Sequence, residues 1–128
     1  MSDTEIGRGT SAYTAGTVVE GPVRWLDSPD AVLDLVGSGD IADVIAISRG
    51  GTTTFMAPAL ASGIKGLITL QGMPTSHLGI LSREFGIPCV MSTVFTDGVE
   101  TDRGEVVPAD GTVVRLDVSA REGRVLRP

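Results

Sequence analysis

The sequence predicts an α/β domain, and three observations carry that prediction. Short apolar runs at residues 43–47, 66–70 and 88–91 are separated by segments with helix-start and helix-stop residues. β-rich segments lie at both ends of the chain, before Ser28 and after Gly98. Seventeen glycines in 128 residues point to short elements joined by tight turns. The simplest packing is two or three small parallel strands with helices against them, closed by antiparallel β segments.

In chain order, residues 1–12 are expected to form a flexible N-terminal arm and residues 13–128 a single domain. Thr17-Val18-Val19 and residues 22–26 are β-rich around a turn at Glu20-Gly21. Ser28 caps a short helix through Val36, with Pro29 at its first position, and residues 37–40 end it. Residues 43–47 form a strand. The loop 49–54 leads into a helix over 55–62, stopped by Gly63, and residues 66–70 form the next strand. A helix runs from the region of His77 to Phe85, with Leu78, Leu81 and Phe85 as its buried stripe. Gly86 caps it and Pro88 prevents its continuation into the strand 88–91. From Gly98 onward the pattern is β, with turns at Ala109-Asp110-Gly111 and Arg121-Glu122-Gly123.

Composition excludes several functions. A chain of 128 residues fits one compact domain and buries a core without metal or disulfide staples. No apolar run approaches the roughly 18 residues of a membrane span. The start, Met1-Ser2-Asp3-Thr4-Glu5, is no secretory signal. The single cysteine, Cys89, forms no internal disulfide, which points to a reducing cytoplasm. Net charge is −6, with no basic stripe and no stacking array among three Phe, one Tyr and one Trp, which argues against nucleic-acid binding. One His and one Cys argue against a structural zinc site.

His77, the only histidine, has the most informative setting. A strand-like run precedes it, then a Gly/Pro turn, then Thr75 and Ser76, two hydroxyl residues suited to capping a helix. His77 is expected in the first helical turn, its ring partly exposed. A helix start offers unpaired N–H groups and the positive end of the dipole, which suit a phosphoryl group. The same dipole disfavours an imidazolium, leaving a neutral ring with a nucleophilic lone pair.

Simpler readings stand beside these. Capping alone, worth about 1 kcal/mol, accounts for Thr75 and Ser76, although a cap and a phosphoryl donor occupy the same geometry. Arg83 lies about 240° around the helix from His77 and reads as a salt bridge or loop anchor. Arg49, in a glycine-rich loop, is either a phosphate contact or a solvated arginine, and no P-loop surrounds it. Cys89 reads as core packing. Asp110-Gly111 and Glu122-Gly123 read as turns.

The stretch Gly72, Thr75, Ser76, His77, Ile80, Arg83, Gly86, Ile87, Pro88, Val90 resembles the signature G-G-x-T-S-H-x-A-I-x-x-R-x-x-G-I-P-x-V. That signature marks the mobile, or swivelling, phosphohistidine domain of PEP-utilising enzymes. The group includes PEP synthase, pyruvate phosphate dikinase and enzyme I of the sugar phosphotransferase system. Residues 104–114 are similar to the family's closing β segment, and the resemblance covers most of residues 10–118. It implies a three-layer β/β/α fold and phosphorylation of His77 on a ring nitrogen, with Thr75 and Ser76 contacting the phosphoryl group. It implies a freestanding carrier, one component of a phosphotransferase rather than a complete enzyme. The donor sites would lie on a partner, an ATP-grasp-like nucleotide-binding subunit, a PEP/pyruvate-binding subunit, or both. No cofactor would be bound by this chain alone, and Mg2+ would belong to the partner's site. Met73 stands at the second glycine of the signature, Pro74 precedes the threonine, Gly79 replaces the alanine, and the Thr-x-Pro segment is reduced to Thr52-Thr53-Thr54. These departures motivate the alternative, a non-catalytic regulatory or interaction module that keeps the fold.

Overall fold

The computed structural model of the chain describes residues 4–12, 16, 18–26, 28–49, 56–73 and 77–128. Its elements are β1 (Thr4–Ser11), β2 (Val18–Trp25), α1 (Pro29–Ser38), β3 (Ile45–Ser48), α2 (Ala57–Ala61) and β4 (Gly66–Thr69). They continue with α3 (His77–Phe85), β5 (Cys89–Phe95), β6 (Val99–Glu100), β7 (Val106–Val107), β8 (Val113–Asp117) and β9 (Glu122–Arg127). The fold is mixed α/β, as predicted. Seven strands close a barrel in the order β1-β5-β4-β3-β2-β8-β9, and β6 and β7 form a separate hairpin.

Four strands, β2 to β5, run parallel, more than the two or three expected. Each parallel step is bridged by a helix: α1, α2 and α3 in turn. β8, β9 and β1 close the barrel with antiparallel pairs. Every residue of β3 and β4 is buried, because both faces of these strands are covered. Ile45, Ile47 and Ile68 fill the barrel interior. The alternate residues Ala46 and Leu67 pack instead with Leu35, Leu60 and Leu78, toward the helices. Each fully buried Ile or Leu contributes roughly 1.5–3 kcal/mol. Packing on two faces thus holds strands too short to persist alone.

Local chemistry places α1. The Ser28 hydroxyl accepts a hydrogen bond from the Ala31 N–H at 3.2 Å, and Pro29 opens the helix. The helix runs two residues past Val36, to Ser38, and Gly39 at φ 83° ends it. α2 is shorter than the expected 55–62, and residues 50–55, with Thr52, Thr53 and Thr54, lie outside the described residues.

Three expectations are corrected. The arm over residues 1–12 is, from Thr4 to Ser11, the barrel strand β1, paired with both β5 and β9. Without it those two strands would present open edges. Its glycines suggest flexibility, yet a Cβ on Gly9 would lie 2.4 Å from the Met91 carbonyl oxygen, so the strand needs glycine to approach β5. The turn at Glu20-Gly21 is instead the middle of β2. A Cβ on Gly21 would stand 2.5 Å from the Asp43 carbonyl oxygen, so close approach explains this glycine. The last turn falls at residues 119–121, and Glu122 already begins β9. No helix among the described residues is long and apolar enough to cross a membrane.

Candidate functional site

Trp25 of β2 pairs with Ile47 of β3, and Ser48 of β3 pairs with Thr69 of β4. The carboxyl ends of three parallel strands therefore meet at one end of the barrel. α3 starts eight residues past Thr69 and leads back to β5, so its N-terminus lies at that same end. α/β folds gather ligand-binding groups at the carboxyl ends of their parallel strands.

His77 is the first residue of α3, within the first turn as expected. The first turn carries no acidic residue and Arg83 lies in the last, so no carboxylate of the helix opposes an anion at its N-terminus. Leu78, 2% exposed, anchors this turn in the core. The buried stripe continues through Ser82, whose hydroxyl donates to the Gly79 carbonyl at 3.0 Å. Phe85 was expected in that stripe but is 48% exposed. Gly86 turns the chain at φ 69°, and Ile87 takes the buried place, its N–H bonding the Ser82 carbonyl at 2.8 Å. Thr75 and Ser76, expected to contact a phosphoryl group, lie outside the described residues, as does Pro74. The expected exposure of the His77 ring also lies outside them.

The turn that leads to α3 is tied down at several points. The Leu70 N–H donates to the Ser48 carbonyl at 3.1 Å. The Thr69 hydroxyl donates to the Gln71 carbonyl at 2.8 Å. Gly72 takes φ 105°, open to glycine, and its carbonyl accepts from the Ser92 hydroxyl. Ser92 itself has φ 53°, in a bulge of β5 where the register with β1 shifts. Neither Thr69 nor Ser92 carries a sequence signal for this role, because their partners are set by the tertiary fold. Met73, 67% exposed, and Ile80, 49% exposed, flank the helix start in sequence.

Arg49 is not a solvated loop arginine: its side chain is 15% exposed. Its Nε and one Nη donate to the two carboxylate oxygens of Glu105 at 2.7 and 2.8 Å, and the same Nη reaches Asp102 at 3.3 Å. Its guanidinium carbon lies 5.1 Å from the Trp25 ring centroid. The Thr101 hydroxyl donates to Glu105 at 2.7 Å. Arg83 is exposed; of the two roles expected for it, salt bridge or loop anchor, no ion pair is seen among the described residues. Asp110 accepts from the Trp25 N–H at 2.8 Å, which gives this turn residue a structural duty. Cys89 is fully buried, and desolvation pushes its thiol up to about 12, so it serves as packing and not as a nucleophile. No three His, Cys, Asp or Glu side chains gather to hold a metal among the described residues.

The hydrogen bond from Arg49 holds the Glu105 carboxyl below its ordinary value of 4.5. Asp117 is held below 3.8, chiefly by the Ser119 hydroxyl. Both groups bind protons more readily in the unfolded chain. Their stabilisation is therefore complete above the ordinary carboxylate range and is lost as pH falls through the lowered folded-state values. Thermal melts are expected to show a lower midpoint at about pH 3 than at neutrality, with the difference narrowed in Glu105→Gln. A flat profile across this range would contradict it.

Residues 42–120 match the model of the PEP-utilising enzyme mobile domain. Over 79 residues, 62% of the chain, the sequence is 39% identical to a probable phosphoenolpyruvate synthase of Methanothermobacter thermautotrophicus strain Delta H. The matched span is 10% of that protein's length.

Proposed function

Because the chain belongs to the PEP-utilising enzyme mobile-domain family, we propose that it is a phosphohistidine carrier and a component of a phosphotransferase. The observation that carries this reading is the place of His77, first residue of α3 at the carboxyl end of the parallel strands, inside the matched span. In the first step a ring nitrogen of His77 attacks phosphorus. The N–P bond forms through the nitrogen that carries the lone pair, the P–O bond to the leaving group breaks with its electrons going to the leaving oxygen, and the other ring nitrogen keeps its N–H proton. In the second step an acceptor attacks the same phosphorus and the N–P bond breaks, returning the electron pair to the ring. A phosphoryl group adds about −1.5 to −2 charge, which the helix N-terminus favours. Thr75 and Ser76 donate hydrogen bonds to it.

The donor, ATP or PEP, and its Mg2+ belong to a nucleotide-binding or PEP/pyruvate-binding partner. A closed barrel whose parallel strands pack against the helices on their outer side supports the three-layer β/β/α arrangement. The buried free thiol of Cys89 fits a cytoplasmic setting. A regulatory module that keeps the fold is the second reading. It is favoured by Met73, exposed where the signature has glycine.

Incubated alone with Mg2+ and ATP, or with PEP, the chain is expected to remain unlabelled by phosphorus NMR. Adding a PEP synthase from which the mobile domain has been deleted, with ATP and Mg2+, should yield one phosphohistidine. Nucleotide hydrolysis by the chain alone would contradict the carrier reading, and no uptake with the partner would favour the regulatory one.

A further inference from the structure

We infer that Arg49 is a positioning residue for the phosphoryl-transfer site, held in place by the β6–β7 hairpin. The inference rests on the carrier reading for its kinetic consequence and on the structure for its geometry. In the other ion pairs among the described residues the arginine is more exposed, at 39–55%. Arg8 and Glu5 are 55% and 33% exposed, and Arg127 and Asp97 are 49% and 54%. Arg49 and Glu105 are 15% and 23% exposed, joined by two hydrogen bonds and stacked on Trp25. Exposed pairs contribute little order, whereas a two-point guanidinium–carboxylate pair fixes geometry.

What it fixes is the end of β3. Arg49 directly follows Ser48, whose carbonyl accepts the Leu70 N–H at 3.1 Å. From Leu70 the Thr69–Gln71 and Ser92–Gly72 hydrogen bonds carry the turn as far as Gly72, five residues before His77. A continuous set of bonds thus joins Glu105, on the hairpin side, to the turn that presents His77. A displaced end of β3 would shift the nucleophile relative to its donor, and small displacements at a reacting centre are costly. Coupling through such a network is reciprocal, so a phosphoryl group on His77 should be felt at Trp25.

The chain carries one histidine and one tryptophan, so each end of this network has its own spectroscopic probe. The experiment compares wild type, Arg49→Gln, Glu105→Gln and the control Arg8→Gln. Trp25 fluorescence reports the state of the clamp, and the imidazole proton resonance reports the setting of His77. Phosphoramidate serves as a small chemical donor: its P–N bond breaks, ammonia leaves, and the phosphoryl group passes to the ring nitrogen. Arg49→Gln and Glu105→Gln are expected to move the His77 resonance and to slow uptake at saturating phosphoramidate about tenfold. Arg8→Gln should change neither. Should Arg49→Gln fail to fold, Glu105→Gln, which keeps the shape and removes the charge, carries the same test. An unchanged His77 resonance and uptake rate, with Trp25 emission altered, would overturn the inference and leave Arg49 a plain structural staple. A wild type that takes up no phosphoryl group would count against the carrier reading, while the resonance would still decide the clamp.

Discussion

Leu78→Ala is expected to destabilise the fold by about 2–5 kcal/mol, the range for removing a large buried aliphatic side chain. Leu78 is 2% exposed and shares a core with Leu60, Leu67 and Met91, beneath the first turn of α3. Small domains have only about 5–15 kcal/mol to lose. At roughly 4 °C per kcal/mol, the midpoint should fall by about 8–20 °C. The effect should reach function as well, because Leu78 is the residue that pins the helix turn beginning at His77. A melting curve that shifts by only a degree or two would mean that this turn is anchored elsewhere.

His77→Ala is expected to abolish phosphoryl uptake altogether while leaving the fold intact. It removes the only imidazole in the chain, and no other described side chain offers an equivalent nucleophile. Cys89, the only thiol, is buried with its proton held well above neutral pH. Alanine is the best helix former, favoured over histidine by at most about 0.7 kcal/mol, so the start of α3 should survive. Circular dichroism and the melting midpoint of the variant should match the wild type, with uptake lost.

Local chemistry made much of this fold readable from the sequence. Ser28 with Pro29 announces α1, and Gly86 with Pro88 announces the end of α3, because caps act within a few residues. The short strands β3 and β4 were legible as apolar runs bounded by turns. β1 was not, because Thr4–Ser11 carries polar residues and glycines, and its strand form is imposed by β5 and β9 rather than by its own composition. Gly21 misled for a related reason: a glycine needed for close approach looks the same in sequence as one needed for a turn. Phe85 looked buried by periodicity, but the chain turns at Gly86 and Ile87 fills the place. At the site, His77 was legible from the pattern around it. Arg49 was named without its true partner, since Glu105 lies 56 residues away and only the closed barrel and its hairpin bring them together. Ser92, which holds Gly72 from the bulge in β5, left no trace in the sequence at all.

In the function proposed for the chain, His77 carries a phosphoryl group on nitrogen. Intact-mass spectrometry of the wild type and His77→Ala, each incubated with the mobile-domain-deleted PEP synthase, ATP and Mg2+, tests it most directly. Samples are split between acid and base before measurement. The wild type is expected to carry one phosphoryl group, lost in acid and kept in base, and His77→Ala none. A phosphoryl adduct that survives acid, or one that persists on His77→Ala, would contradict it.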